Sequence, residues 1–181
     1  PGYGGGNGTA ENPYEIWTAD QFYEFSQRTM DYDTCIVLMG DIDLAGTTYT
    51  QAVIAKDTDS SQSGFQGTGF SGCFDGNGHV IRNLTIDTGA SSNRYLGLFG
   101  WIEASGNVTN LSLINLNIKG WAQSDYLGGI SGYLKGTIQN CRMQGSIETP
   151  LWVWGGNANG DSIGGIAGKS DGGTIMNCSA S

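Results

Sequence analysis

Asp41 and Asp43 stand two residues apart in Gly40-Asp41-Ile42-Asp43-Leu44, where acidic and apolar residues alternate as in a strand. On a strand both carboxyls point to one side, about 6–7 Å apart. Two carboxyls flanking one bond at that separation are what glycoside hydrolysis requires. The same spacing suits a solvated strand edge or a stabilised turn, and the pair is read in that structural sense. His79 is the single histidine and follows Asp75-Gly76-Asn77-Gly78. Glycines at 76 and 78 mark a tight turn, so His79 is expected at a corner of the backbone. Arg82, Arg94 and Arg142 could each serve as the base of a lyase, but no acidic cluster shares their register.

Other candidates are aromatic. Trp121, Trp152 and Trp154 fall in polar stretches, and Trp101 and Tyr133 each follow a Gly-x-x-Gly tetrad. Tryptophan offers a flat apolar face with one polar handle, which suits stacking on sugar rings. Trp121, Trp152 and Trp154 are expected to share one edge as a glycan platform or to fold back over the core. Trp101 and Tyr133 are expected to form a second column on the outer wall. Asp125 and Asp161 occupy equivalent slots, with Asn93 in the corresponding place before them. Spaced carboxylates with loop carbonyls make these two aspartates candidate calcium ligands. No other cofactor is implied, and no dense acidic loop of the EF-hand type is present.

The elements that would position these residues are set by a repeat. Gly97-Leu98-Phe99-Gly100 recurs as Gly129-Ile130-Ser131-Gly132 and as Gly165-Ile166-Ala167-Gly168. A second segment follows each copy: Gly106-Asn107-Val108-Thr109-Asn110, Gly136-Thr137-Ile138-Gln139-Asn140 and Gly173-Thr174-Ile175-Met176-Asn177. Units of this length cannot bury an apolar face alone and must stack into a solenoid. Asn tolerates the left-handed backbone needed where a strand bends. Asn83, Asn110, Asn140 and Asn177 are therefore expected to stack at one corner as an amide ladder. Cys141 and Cys178 follow two of these asparagines and should stack inside the coil as reduced thiols. Cys35 is expected to face inward and Cys73 outward, unpaired.

Ahead of the repeats, Thr18-Ala19-Asp20-Gln21 reads as a capping box, with Phe22 and Phe25 at helical spacing. This predicts one short helix at 19–28, placed as a lid on the open end of the solenoid. Residues 1–12 are read as a loose Gly-rich leader, 33–86 as irregular first coils, and 93–181 as the regular repeats. The expected architecture is all-β: a right-handed parallel β-helix with a short N-terminal capping α-helix, one domain over 13–181. The chain starts at Pro1 and stops after the third Asn-containing strand, so a piece of a longer protein is expected.

Net charge is −9, from eight Lys plus Arg against seventeen Asp plus Glu. A nucleic-acid partner would need a basic footprint, and an anionic membrane is disfavoured by the same sign. No apolar run approaches the roughly 18 residues of a membrane-spanning helix.

Gly129-Ile130-Ser131-Gly132 with its flanks resembles the GLUG motif, and Phe70–Ile81 together with Asp41-Ile42-Asp43-Leu44 resembles the region preceding such repeats. The resemblance covers most of residues 11–181. It implies a β-helical stalk in a secreted or cell-surface bacterial protein, hence an extracellular or cell-surface location. The leading expectation is a non-catalytic scaffold or adhesion module that self-associates through its C-terminal coil. Carbohydrate binding through the tryptophans comes second. Third is a fragment of a polysaccharide lyase or glycoside hydrolase.

Overall fold

The computed structural model describes residues 2–89, 91, 93–121, 126–148 and 162–181. Its strands stack coil upon coil, and every strand pairing is parallel. One six-stranded sheet runs the length of the stack in the order Tyr14–Ile16, Cys35–Leu38, Cys73–Asp75, Asn107–Thr109, Thr137–Gln139 and Thr174–Met176. A second sheet is centred on Ser112–Lys119, which pairs with Arg142–Glu148 on one side and with Val80–Arg82 and Thr85–Asp87 on the other. Two three-stranded sheets close the coil: Tyr95–Leu96, Tyr126–Gly128 and Ser162–Gly164, then Phe99–Ile102, Ser131–Leu134 and Ala167–Ser170. The chain is a parallel β-helix.

Alternation within each strand decides what lies inside. Ile36, Phe74, Val108 and Ile138 stack in register and are buried. Leu98 and Ile130 line the core from the Gly-x-x-Gly bend. The glycines of this bend are needed for close approach. A Cβ on Gly132 would lie 2.8 Å from Leu96 N and from Tyr95 C; on Gly168 it would lie 2.5 Å from Leu127 N. Neither space admits a side chain, so the strands before and after the bend fold tightly against each other.

The helix α1, Ala19–Gln27, starts with the reciprocal capping box of Thr18 and Gln21. Phe22 and Phe25 are fully buried. Phe22 meets Phe74 edge-on at 6.4 Å, and Phe25 meets Phe70 at 6.5 Å. Burying each ring contributes about 1.5–3 kcal/mol, which fixes the helix over the first coil. Beyond the helix, Tyr32 donates to Ser26 O at 2.7 Å.

Three expectations are corrected. The leader is tied down: Tyr3 stacks on Tyr14 at 4.3 Å, its hydroxyl donates to Asp31 Oδ2 at 2.6 Å, and Cys35 N donates to Gly8 O. Arg28 meets the same Asp31 oxygen. Burial opposes ionisation of Asp31, but the hydrogen bonds from Arg28 and Tyr3 outweigh it and hold the carboxyl below its usual range.

Cys35 and Cys73 form a disulfide. Ile36 and Leu38 are the inward residues of their strand, so Cys35 faces outward. It lies directly opposite Cys73, with Cα atoms 4.5 Å apart.

Asn83 does not share a corner with Asn110. The coil containing it turns that corner through Asp75-Gly76-Asn77-Gly78, where Gly78 N donates to Asn110 O. Asn83 lies one bend later, and Leu84 with it, so Leu111 alone precedes the two cysteines in their slot.

Candidate functional site

The corners carry two amide ladders. At the first, Asn177 donates to Asn140 at 3.2 Å, Asn140 to Asn110 at 3.3 Å, and Asn110 to Asp75 at 3.0 Å. At the second, Asn115 donates to Asn83 at 2.6 Å and Asn83 to Asp43 at 2.7 Å. All five asparagines hold φ between 51° and 61°. Each amide ladder runs toward the N-terminal end and stops on an aspartate. A carboxylate there accepts without needing to donate onward, which suits the end of a one-way chain.

Asp41 and Asp43 both lie in hydrogen-bonded networks on the outer wall. Asp43 is held down at about 2 by hydrogen bonds from Asn83, from the Ala45 N–H and from Arg82. Asp41 accepts from Val80 N at 3.1 Å and faces His79 Nδ1 at 3.2 Å, and these contacts lower its carboxyl as well. General-acid catalysis needs a carboxyl raised toward neutrality. Here both are pushed the other way, so the pair suits a fixed surface network of Asp41, Asp43, His79 and Arg82. Arg82 completes it, with Nε 3.1 Å from Asp43 and Nη1 3.8 Å from Asp41.

The Gly-x-x-Gly bend sets two aromatic columns side by side on the outside. Trp101 and Tyr133 stack at 4.0 Å with their planes 2° apart. Tyr95 and Tyr126 follow at 5.4 Å, and Tyr95 meets Trp101 edge-on at 5.4 Å. Phe65, from the 55–69 loop, stacks on the remaining face of Trp101 at 5.0 Å. Lys169 Nζ lies 5.3 Å from the Tyr133 ring and 5.3 Å from the Tyr126 ring. Tyr133 also donates to Asp171 at 2.8 Å, and burial followed by that bond raises its phenol to about 12. A sugar ring stacks on an open aromatic face. Both faces of Trp101 are occupied, so the column serves to clamp the coils together.

Of the tryptophan edge, Trp121 is half-buried at the foot of a loop. Trp152 and Trp154 lie outside the described residues, as do Asp125 and Asp161. The three inter-coil loops begin on stacked positions, Asp87, Lys119 and Glu148. The first two end on Tyr95 and Tyr126, which pair with each other and with Ser162 beyond the third. Asn93, the residue in the aspartates' slot, is buried and donates to Thr50 O at 2.6 Å. Among the described residues no three His, Cys, Asp or Glu side chains gather as a metal site.

Cys141 and Cys178 are free thiols in register. Cys141 N lies 3.4 Å from Cys178 Sγ. Cys141 is buried, and that burial pushes its thiol up to about 12. Cys178, in the last coil, is half-exposed.

Comparison with known proteins agrees with this geometry. Residues 159–181 match the family described as the GLUG motif. The chain is 32% identical over 171 residues to halomucin of Haloquadratum walsbyi, spanning 91% of this chain and 2% of that protein. It is 28% identical over 194 residues to a "Putative Gly-rich membrane protein" of Evansella cellulosilytica, spanning 93% of this chain and 21% of that one. It thus corresponds to a small part of each relative's length. A crystal structure described as a "putative immunoglobulin A1 protease" from Bacteroides ovatus superposes with a TM-score of 0.62, at 22% identity, over 97% of this chain and 59% of that one. That likeness concerns the fold. With bend glycines, inward Leu98 and Ile130, and stacked corners all in register, the chain is a parallel β-helix, and the match to the GLUG motif falls in the last of its repeated Gly-x-x-Gly units.

Proposed function

We propose that this chain is a non-catalytic scaffold segment of a large extracellular or cell-surface protein, serving adhesion by holding its inter-coil loops in a row. The observation that carries the reading is the state of Asp41 and Asp43. This pair, whose strand spacing would suit a hydrolase, is instead engaged by Asn83, Arg82, His79 and the Val80 N–H, and both carboxyls are lowered by those contacts. The Cys35–Cys73 disulfide supports an oxidising, extracellular setting. The loops that start at Asp87, Lys119 and Glu148 are spaced by strand stacking at about 4.8 Å per coil. That spacing makes a regular display edge.

Self-association is part of the proposal. Ile163, Ile175 and Met176 of the last coil are each more than 40% exposed. Parallel strands there offer unpaired backbone groups to a further coil or a second copy. The test has two arms. A panel of polysaccharides incubated with the protein should release no reducing ends or unsaturated products, and turnover of any of them would overturn the scaffold reading. Sedimentation of the isolated chain should show concentration-dependent association that Ile175→Lys abolishes; a monomer at all concentrations would remove the self-association part.

A further inference from the structure

A cleft between α1 and the segment 47–68 has no role in the coil. It consists of two adjoining cavities, of about 290 and 300 Å³. Both are lined by Gln27 and Lys56, whose side chains meet at 3.5 Å and divide the cleft. The first cavity presents Tyr23, Thr47, Thr48, Tyr49 and Thr50. None of those five hydroxyls is hydrogen-bonded to another described residue. In the second, Tyr32 donates to Ser26 O, Gln27 to the Ser26 hydroxyl and Gln66 to Ser63 O.

The open hydroxyls are held in place. Tyr49 is fixed by strand pairing with Ile86, Thr50 O accepts from Asn93, and Gln51 donates to Asp57 O at 3.2 Å. Tyr23 projects from α1 between the anchored Phe22 and Phe25, and it is 55% exposed. Tyr23 and Tyr49 are neighbours: the Tyr49 phenol is raised first by burial and then by the charge Tyr23 would carry. Among the described residues no carboxylate lines either cavity, and Lys56 is the single cation there.

We propose that this cleft binds a neutral oligosaccharide, with Tyr23 and Tyr49 meeting the sugar faces and Thr47, Thr48, Thr50 and Lys56 meeting its hydroxyls. A sugar is dense in groups that both donate and accept, as are these hydroxyls. Aromatic rings beside a few fixed polar groups make a carbohydrate-sized site. The net charge of −9 disfavours acidic polymers, which would be repelled at long range. Two adjoining cavities of this size, sharing Gln27 and Lys56, offer room for more than one sugar ring. The proposal stands apart from the scaffold reading, since a scaffold with an empty cleft still displays its loops.

The probe is a panel of neutral hexasaccharides, of β-glucan, mannan, xylan and chitin type, printed on an array and followed by calorimetry. Wild-type protein should bind at least one. Tyr23→Ala should weaken that binding about tenfold or more, with the thermal midpoint unchanged because the ring is exposed. Lys56→Met should weaken it severalfold, and Trp121→Ala should leave it intact. Backbone amide shifts on titration should cluster at 23, 47–51 and 56, a readout that needs no variant. Binding to none of the hexasaccharides, shifts clustered elsewhere, or binding indifferent to both Tyr23→Ala and Lys56→Met would overturn the proposal.

Discussion

The Asn115 side chain donates to Asn83 Oδ1 across 2.6 Å, and both residues hold a left-handed backbone, with φ of 56° and 61°. Asn115 is an insertion in its strand: Ile114 pairs with Gln144 and Leu116 with Gly145, so the next coil has no counterpart. The second ladder therefore ends after one amide–amide step, while the first continues to Asn177. Asn115→Ala removes the hydrogen bond and places a Cβ in the left-handed region. Together these should cost about 1–2 kcal/mol in urea unfolding. Asn115→Gly removes only the amide contribution and should cost about 1 kcal/mol less. Equal losses in the two variants would show that the backbone bend is not strained.

The aspartate that ends the second ladder gives a pH dependence. The Asp43 carboxyl is depressed to about 2, against about 3.9 in an unfolded chain. A depressed carboxyl favours the folded state above the unfolded value, and the contribution is lost as pH falls from about 4 to about 2. The urea midpoint should decline across that window. Asp43→Asn should flatten the decline, because an amide oxygen still accepts from Asn83 but does not titrate. The Asp43 side chain is 44% exposed, so the slope is expected to be shallow and to weaken further in salt. An unchanged slope in Asp43→Asn would assign the decline to other groups, Asp31 and Asp41 among them.

The parts legible in the sequence were those with a repeat to set their phase. Leu98, Ile130 and the bend glycines recur at matched spacing, so the solenoid and its inward face followed directly. Thr18 and Gln21 specify the helix start locally. Arg82-Asn83-Leu84 copies the pattern of Thr109-Asn110-Leu111, but the corner at Asp75–Gly78 is two residues longer and moves Asn83 to the next bend. Cys35 and Cys73 lie in the irregular coils, 38 residues apart, where no repeat reveals that they sit opposite each other. The cleft was invisible because Tyr23 and Tyr49 come from a helix and a strand with no shared pattern. The occupied faces of Trp101 depend on Phe65, which is supplied by a loop.

The four cysteines should behave as two classes. Crosslinking Cys35 to Cys73 closes a loop with a separation of 38 residues, which in the chain-entropy account contributes about 3–4 kcal/mol. Cys73→Ser with Cys35→Ser should lower stability by about that amount. Cys141, with its thiol raised to about 12, holds almost no thiolate at pH 8. Mass spectrometry after alkylation should find Cys141 unmodified in the native protein and labelled once urea is added. Labelling of Cys141 without denaturant would show that the core opens at that coil.

Gly132→Ala tests the bend itself. The added Cβ would meet Tyr95 C and Leu96 N at 2.8 Å and Gly100 O at 2.9 Å, all of them backbone atoms. No flexible side chain can yield there, so two strands must separate. The loss should be about 1–3 kcal/mol or more. Gly46→Ala is the matched control. Gly46 has φ of 86° with nothing within 4 Å of an added Cβ, so that variant carries backbone strain alone, about 1 kcal/mol. The two differ also in what moves. Parting the strands at Gly132 pulls Tyr95 from Trp101 and Tyr133, which pack at 5.4 and 6.1 Å. Near-ultraviolet circular dichroism, which reports fixed aromatic packing, should therefore weaken in Gly132→Ala and stay unchanged in Gly46→Ala. If Gly132→Ala keeps both its stability and its aromatic signal, the close approach across the bend is not what demands glycine there.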